Sequence, residues 1–230
     1  MNVLENRLVA RLPNATRETF AAHFVEIELK LAEVVYAPGE PTRYVYFPTE
    51  GFVSIIASLE GTPGLEVGMV GQEGMVGAQM ILGVPSSKLR AVVQGEGRAL
   101  RMPADQFRRQ LEASIELRNV LNRYVAVLIA QFATSAACAR YHEVGPRLAR
   151  WLLMCQDRAQ SDDFKMTQEF LAYMLGVRRV SVTNAAGVLQ RSGLINYARG
   201  ALRVIDRSGL ERAACGCYRV DRRGYQELLA

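Results

Sequence analysis

Polar and basic side chains that could hydrogen-bond to a nucleic acid follow an apolar helical repeat in the last third of the chain. In residues 166–184, MTQEFLAYMLGVRRVSVTN, apolar positions recur at helical spacing on both sides of Gly176. Thr167 is suited to cap the first helix, and glycine can adopt the left-handed backbone of a sharp turn. Ala172 lies four residues before Gly176 and Val182 six after it, where a small and an apolar side chain let two helices pack closely. This spacing predicts a helix-turn-helix.

Two short apolar runs follow this unit and flank a turn at Gly200. Residues 194–197 and 201–205 predict the two strands of a β-hairpin wing. The second helix is predicted over about 178–192, and its N-terminal residues would face a DNA major groove. The polar side chains that the core does not need there, together with the arginine at the wing tip, are Arg178, Arg179, Ser181, Thr183, Asn184 and Arg199.

The positive charge of the chain is concentrated near these motifs. The 230 residues carry a net charge of +5, with a pI near 9.2. Residues 147–230 hold 14 of the 28 Lys and Arg residues but only 8 of the 23 Asp and Glu residues, so their net charge is +6 and that of residues 1–146 is −1. Positive charge confined to one segment favours a polyanionic partner for it, and we expect double-stranded DNA.

The composition also argues against several classes of protein. With 50% hydrophobic and 22% charged residues, the chain is expected to be globular. No apolar run approaches the roughly 20 residues of a membrane-spanning helix, and the N-terminus lacks the apolar core of a secretory signal. Four cysteines do not make a disulfide framework. We therefore expect reduced thiols and a cytoplasmic protein that does not enter a membrane.

Two regions of different texture precede the helix-turn-helix. A helix is predicted over 14–30, and short apolar runs separated by glycines and prolines predict an antiparallel β-roll or barrel over 34–100. Residues 103–141 contain almost no Gly or Pro and predict a long helix that ends at Gly145-Pro146. A seam along this helix could pack on its own domain or on a second copy, and its length favours pairing. The seam consists of Leu117, Leu121, Tyr124, Leu128, Gln131 and Ser135.

The order of β-roll, long helix and winged helix-turn-helix resembles the Crp/Fnr superfamily of bacterial transcription regulators over nearly the whole chain. The most specific stretch is 166–184, with a Thr-Gln helix start followed by Leu-Gly and Arg-x-Ser-Val. The resemblance implies an α+β chain with a cyclic-nucleotide-binding-like β-roll over 1–110, a dimerisation helix over 111–146 and a winged helix-turn-helix domain over 147–230. It also implies a homodimer on a pseudo-palindromic operator with half-sites about 34 Å apart, and recruitment of RNA polymerase.

The resemblance assigns individual residues to base recognition. Arg179 matches a position that usually carries a guanine-reading arginine. The next position is often an acid that reads cytosine, whereas Val180 offers only an apolar contact to a thymine methyl group. A later arginine is replaced by Asn184, which suits adenine. The operator is therefore expected to differ from the best-known family consensus.

The cyclic-nucleotide pocket of that family is only partly matched. Its Gly-Glu-Leu turn holds the ribose, and its Arg-Ser/Thr-Ala segment pairs with the cyclic phosphate. Gly77 fits the turn, but Ala78 stands where the glutamate is expected. Lys88 lies near the arginine position, and Arg90, two residues later, shares the face of Lys88, so either could still meet an anion. Without the ribose acceptor we expect no response to cyclic AMP, and the effector, if one exists, is unknown.

Metal and catalytic chemistry are not expected. The four cysteines span two predicted domains, which argues against an iron–sulfur cluster, and Cys215 and Cys217 are interpreted as a reduced, non-ligating pair. Both histidines lie outside the roll, and no phosphate-binding loop or nucleophile elbow is present. The sequence thus predicts a DNA-binding regulator without cofactor, metal or enzymatic activity. The alternative is an effector-binding signalling module whose C-terminal domain contacts protein.

Overall fold

A computed structural model describes residues 3–58, 60 and 64–228 of the chain. Its architecture confirms the α+β prediction: an antiparallel β-roll is followed by a long helix and a winged helix-turn-helix. Short 3-10 turns lie at Val3–Glu5, Val9–Arg11 and Ala78–Leu82. The roll contains helix α1 (Asn14–Ala21) and strands β1 (Val25–Leu29), β2 (Val34–Tyr36), β3 (Tyr44–Pro48), β4 (Phe52–Ala57), β5 (Leu65–Val70), β6 (Arg90–Gly95) and β7 (Gly97–Pro103).

The N-terminal helix is shorter than the sequence predicts. We expected a helix over 14–30, but α1 ends at Ala21 and β1 begins at Val25. The residues of β1, Val-Glu-Ile-Glu-Leu, alternate apolar and acidic side chains, which is the period of a strand with one buried face. β1 pairs with β7 in antiparallel register, with Val25 opposite Arg101. The second half of the predicted helix was therefore wrong.

Two antiparallel sheets, in the strand orders β1-β7-β3 and β2-β6-β4-β5, enclose the core of the roll. Along β4, Val53 and Ile55 face this core. Phe52 and Ile56 face the opposite way and join a second apolar cluster with side chains of the C-terminal half, including Trp151. The second sheet is thus buried on both faces, which explains why β4 has a nearly continuous apolar sequence.

The long helix is divided by a cap. After α2 (Ala104–Ala113), Ser114 accepts a hydrogen bond from the Leu117 N–H (3.1 Å) and starts α3 (Ile115–Tyr141). Helix α3 lies along the roll, and the Tyr124 hydroxyl donates to the Met75 carbonyl oxygen (3.1 Å). The single helix predicted over 103–141 is therefore two helices, and α3 carries the seam that starts at Leu117.

The predicted seam faces the roll of its own chain. Leu117, Leu121, Tyr124 and Leu128 belong to the roll core and are at most 7% exposed. The buried Gln131 side chain accepts from the Met69 N–H (3.2 Å), and Ser135 accepts from the Arg150 guanidinium (3.2 Å). This placement corrects the prediction that these residues face a second chain, because their contact surface is already used inside one chain.

By length and composition alone, α3 is long and apolar enough to cross a bilayer, with a mean hydropathy of 1.2 over an 18-residue window. From the sequence we expected no membrane-spanning segment, because no uninterrupted apolar run is long enough. The average over a whole segment can still be apolar when a few polar residues interrupt it. A third of that window is buried within the chain. The core helix of a globular protein passes the same test, so the finding is weak evidence for a membrane span.

The C-terminal half begins earlier than expected. Helix α3 ends at Tyr141, and Gly145 and Pro146 lie in the first turn of α4 (Val144–Ala159), where the missing proline N–H is tolerated. Gly145-Pro146 therefore starts a helix and does not end one, which corrects the prediction. The remaining elements are β8 (Asp163–Lys165), α5 (Gln168–Leu175), α6 (Arg179–Arg191), β9 (Ile195–Ala198), β10 (Ala201–Val204), α7 (Arg207–Ala213) and α8 (Cys217–Leu228).

Partly buried polar contacts join the two halves beside the second sheet. Glu66 on β5 accepts from the Trp151 indole N–H (2.8 Å) and from the Ser54 hydroxyl, and Glu73 pairs with Arg158 (2.7 Å). Burial raises the pKa of the Glu66 carboxyl to about 7, against the hydrogen bonds from Ser54 and Trp151 and the charges of Arg158 and Arg150, which lower it. The carboxyl at the centre of the junction therefore ionises near neutral pH, well above the range of an ordinary glutamate.

This raised pKa predicts a pH dependence of stability. Between about pH 4.5 and 7 the folded chain holds a proton on Glu66 that the unfolded chain releases, so the free energy of unfolding falls as the pH rises through this range. Glu66→Gln keeps the shape of the side chain without the ionisation. We expect it to gain about 2 kcal/mol over the wild type between pH 5 and pH 8. Urea unfolding of both proteins at both pH values measures this gain, and parallel pH profiles would contradict it.

Candidate nucleic-acid interface

The helix-turn-helix is formed by the residues that predicted it. The Thr167 hydroxyl accepts from the Phe170 N–H (3.1 Å) and caps α5, and Gly176 has φ +61° at the end of that helix. The Val177 N–H then donates to the Ala172 carbonyl oxygen (3.0 Å), which closes the turn. Val182 is fully buried between the two helices. Local capping and turn chemistry thus fix how α6 crosses α5.

The N-terminal part of α6 presents an uncovered face. Arg178, Arg179, Thr183 and Asn184 are exposed, and Val180 keeps 60% of its surface exposed although it is apolar. Ser181 is half-buried. Because residues four apart share a helix face, Arg179 with Thr183 and Val180 with Asn184 form two adjacent rows. These rows offer hydrogen-bond donors, an amide and an apolar contact within the first two turns of α6.

Thr183 has a second connection that the sequence did not reveal. Its hydroxyl lies 2.6 Å from the side-chain oxygen of Gln168, the first residue of α5, and 3.1 Å from the Arg179 carbonyl oxygen. A hydroxyl has one proton to donate, so a bond to Gln168 leaves Thr183 only as an acceptor toward a ligand. Gln168 therefore belongs to the same surface. The sequence marked Gln168 only through its position after Thr167 at the predicted helix start, and did not indicate its contact with Thr183.

The predicted wing is present and has an additional strand. Strands β9 and β10 pair around Arg199 (φ +51°) and Gly200 (φ +81°), which form a two-residue hairpin turn with both φ angles positive. Arg199 is exposed at the tip. Strand β8 pairs with the outer edge of β10, where the sequence predicted no strand. Backbone pairing thus holds the wing tip in place.

Not all of the positive charge of this half faces outward. Arg147, Arg150 and Arg158 are at most 9% exposed. Arg147 donates to the Leu175 carbonyl oxygen, Arg150 pairs with Asp221 (2.6 Å) and Arg158 pairs with a glutamate of the roll. Three of the basic residues behind the net charge of +6 therefore form internal contacts. The outward charge is carried by exposed arginines of α6 and the wing and also by those of α7 and α8.

The four predicted effector residues do not meet at one site. Gly77 (φ +94°) and Ala78 line an apolar cavity of about 180 Å³ between the roll and α3. Lys88 is exposed, and Arg90 lines a different cleft of about 690 Å³ between the roll and the C-terminal half. Neither cation is among the residues that line the small cavity, which corrects the expectation that Lys88 or Arg90 could bring an anion to it.

Tertiary packing brings together cysteines that lie far apart in the sequence. Cys138 at the end of α3 lies 3.5 Å from Cys215 between the sulfur atoms, and Cys217 lies 3.6 Å from a ring nitrogen of His142. Cys155 is buried within α4 and does not belong to this group. No sequence pattern points to the group, because 77 residues separate Cys138 from Cys215.

Comparisons with known proteins agree with this architecture. A cyclic nucleotide-binding domain family matches residues 26–114, and a Crp-like helix-turn-helix domain family matches residues 146–213. A global nitrogen regulator from a Nostoc species is 24% identical over 181 residues, which cover 75% of this chain and 81% of the relative.

Solved structures show the same fold. A transcriptional regulator of the Crp/Fnr family from Eubacterium rectale has a TM-score of 0.71 at 16% identity, covering 90% of this chain and 96% of that one. FixK2 from Bradyrhizobium japonicum has a TM-score of 0.70 at 17% identity, covering 84% of this chain and 98% of that one. A cyclic nucleotide-binding domain followed by a Crp-like helix-turn-helix domain identifies the chain as a Crp/Fnr-type DNA-binding transcription regulator.

Proposed function

We propose that the protein is a cytoplasmic homodimer that binds a pseudo-palindromic operator through α6 and does not respond to cyclic AMP. The uncovered N-terminal face of α6 carries this proposal, since it combines exposed arginines, an amide and an apolar side chain on a helix held by a capped turn. Recruitment of RNA polymerase is part of the proposal by analogy with the family. No enzymatic role is proposed.

Base recognition is assigned to three side chains of α6. Arg179 can form two hydrogen bonds with guanine, Asn184 can form two with adenine, and the exposed Val180 can contact a thymine methyl group. Arg178 and Arg199 are placed on phosphates, with Ser181 and Thr183 as further polar contacts. The hydrogen bond between Thr183 and Gln168 links α6 to α5. We therefore assign Thr183 a second role, which is to hold the two helices in a fixed orientation at the DNA surface.

A second seam on α3 is our proposed dimer interface. Outside the row of α3 residues that is buried in the roll core, exposed residues recur at spacings of four and three, which is the repeat of a coiled-coil pair. Alanines dominate its C-terminal half, so two helix backbones could approach closely there. Ile115 and Ile129 keep 59% and 62% of their surface exposed and would gain from burial. The seam consists of Ile115, Asn119, Asn122, Ala126, Ile129, Ala133 and Ala136.

The roll is proposed to have lost the chemistry for cyclic AMP. Its cavity under α3 is lined mainly by apolar side chains, with Tyr36 and Gln79 carrying the polar groups and with Ala78 where a ribose acceptor would stand. Lys88 and Arg90 lie elsewhere, so no cation of this pair is available for a cyclic phosphate in the cavity. An effector of the roll would therefore be more apolar than a cyclic nucleotide, or the roll acts without one.

Removing the Arg179 guanidinium tests base recognition. We expect Arg179→Ala to weaken binding to a fragment from upstream of its own gene by about 1–3 kcal/mol, and to reduce the preference for that fragment over a scrambled one of equal length. The measurement is a DNA titration at several salt concentrations, since non-specific binding depends steeply on salt.

The matched control is Arg191→Ala, which removes the same charge from the exposed last turn of α6. It should lower the affinity for both fragments by a similar factor and keep their ratio. If Arg179→Ala leaves the ratio unchanged, Arg179 does not read bases. If the wild type binds neither fragment in a salt-sensitive way, a protein-contacting C-terminal domain is the better account.

The exposed seam is tested by charge. Ala133→Glu places two carboxylates opposite each other in the proposed interface, and we expect the dimer to dissociate at concentrations at least about 100-fold higher than the wild type, because an unpaired buried charge costs about 3–5 kcal/mol. Ala133→Ser is the control, since it keeps the side chain small and uncharged. Sedimentation equilibrium measures both, and a dimer unaffected by the glutamate would place the interface elsewhere.

Calorimetric titration tests the roll directly. We expect no binding isotherm with cyclic AMP or cyclic GMP at micromolar concentrations, because the ribose acceptor and phosphate partner are not in place. The same preparation should bind DNA, which shows that it is folded. A micromolar isotherm with either nucleotide would refute this part of the proposal.

A further inference from the structure

Four side chains with metal-ligating atoms converge where α3 ends and α7 passes into α8. Two of them lie one helical turn apart at the end of α3. The other two flank Gly216, one in the link between α7 and α8 and one as the first residue of α8. Their sulfur and nitrogen atoms all lie within 4.8 Å of one another. The proposed DNA contacts and dimer seam use none of them. The group, which we name the hinge cluster, consists of Cys138, His142, Cys215 and Cys217.

We propose that the hinge cluster binds one zinc ion in each chain. Three thiolates and one imidazole are a common tetrahedral ligand set for structural zinc. With Zn–S bonds of about 2.3 Å and a Zn–N bond of about 2.0–2.1 Å, tetrahedral geometry puts the sulfurs about 3.8 Å apart and a sulfur and nitrogen about 3.5 Å apart. The Cys138–Cys215 separation is 3.5 Å and the Cys217–His142 separation is 3.6 Å. These two separations already match the spacing that one ion requires, and the remaining ones, which are at most 4.8 Å, need to shorten by no more than about 1 Å.

The donor atoms favour zinc over other metal centres. Calcium and magnesium require oxygen ligands, and the hinge cluster offers none. An iron–sulfur cluster places its ligands on different iron atoms, which sets them farther apart than ligands that share one ion. A disulfide between Cys138 and Cys215 would need its sulfurs to close to about 2.05 Å. It would also leave the placement of His142 and Cys217 without a role.

The surroundings suit a bound ion that can still be reached from solvent. Cys138 and Cys215 are buried, Cys217 is half-buried and His142 is exposed, so the cluster is open on one side. Three thiolates, a neutral imidazole and Zn²⁺ carry one net negative charge. Arg147 and Arg150 interact electrostatically with both Cys138 and Cys215 and can offset that charge.

The position of the cluster gives the ion a structural role. Helix α3 is packed on the roll and carries the proposed dimer seam, whereas Cys215 and Cys217 belong to the C-terminal half. The Cys215 N–H donates to the Pro146 carbonyl oxygen (3.3 Å), at the start of α4. The Arg150–Ser135 hydrogen bond (3.2 Å) already links α4 to α3. Zinc would add a further tie between α3 and the C-terminal half and so fix the direction in which α4 leaves α3.

Metal analysis of the full-length protein tests the site. We expect one zinc per chain in protein purified with a reductant and without chelator. Cys217→Ser and His142→Asn should lose the stoichiometric zinc, whereas Cys155→Ala, which removes a cysteine outside the cluster, should keep it. Cys217→His, which restores a ligand, should also keep it. Circular dichroism and gel filtration show whether each variant is folded. This control is most important for Cys155→Ala, because Cys155 is buried, and least important for His142→Asn, because His142 is exposed.

Cobalt replaces zinc to give an optical readout. We expect the Co²⁺ form to show the visible bands of a tetrahedral site and a thiolate charge-transfer band that weakens in Cys217→His. Zinc well below one per chain, or equal zinc in Cys217→Ser and the wild type, would overturn the proposal. Iron with acid-labile sulfide in the purified protein would overturn it as well. So would a Cys138–Cys215 disulfide, if the protein still binds no zinc after that disulfide is reduced.

The role at the junction is tested separately and rests on the proposed DNA binding. We expect zinc removal to change the affinity for a specific DNA fragment by at least about fivefold, the size of an ordinary coupling between sites. Equal affinity of both forms would contradict the role at the junction, while one zinc per chain would still establish the site. Failure of both forms to bind DNA would overturn the proposed function and leave the metal result standing.

Discussion

The rest of the structure depends on one sheet, β2-β6-β4-β5, that is packed against apolar side chains on both faces. Val53 and Ile55 complete the core of the roll, and Phe52 and Ile56 pack against the helices of the C-terminal half. Burying a strand twice stabilises both halves with one set of residues, at about 25 cal/mol for each Å² of apolar surface. It also means that the two halves cannot separate without exposing this sheet to water. The orientation of α6 relative to the roll follows from that packing.

Helix α3 connects this junction to a proposed partner chain through two different faces. One seam, from Leu117 to Leu128, completes the roll, and the other, from Ile115 to Ala136, remains uncovered in the single chain. One helix can contact two surfaces because successive residues are rotated by about 100° around its axis. Two rows of residues that start two positions apart, at Ile115 and Leu117, therefore lie on different sides. At its last turn the same helix leads into the hinge cluster through Cys138 and His142. Packing, pairing and the junction therefore share one rigid element, which is a physical route for changes at one of them to reach the others.

The sequence predicted best what is determined locally. The cap at Thr167, the turn at Gly176 and the wing hairpin each depend on a few adjacent residues, and each is present where the pattern indicated. The roll and the order of domains were likewise predictable from the spacing of apolar runs and glycines. The helix predicted over 14–30 failed because the five-residue alternation of β1 is too short to stand out beside a helical pattern.

What the sequence could not predict depends on tertiary contacts. Both seams of α3 have the same period, so periodicity alone could not tell which one faces the roll. Pro146 could end one helix or start the next, and only the chain path decides between the two. Strand alternation suggested that Arg90 shares a face with Lys88 and could meet an anion. In the structure Arg90 lines the cleft between the roll and the C-terminal half and does not line the cavity under α3. The hinge cluster joins residues from the end of α3 with residues at the start of α8, which no local pattern connects.

Selection of bound fragments from a random DNA pool tests the central claim most directly, because the operator sequence need not be known beforehand. A dimer that reads DNA through two copies of α6 should enrich a two-fold symmetric sequence with half-sites about one helical turn, ~34 Å, apart. Each half-site should hold a guanine whose enrichment disappears with Arg179→Ala. A pool that yields no motif, or only a single asymmetric site, would contradict the account.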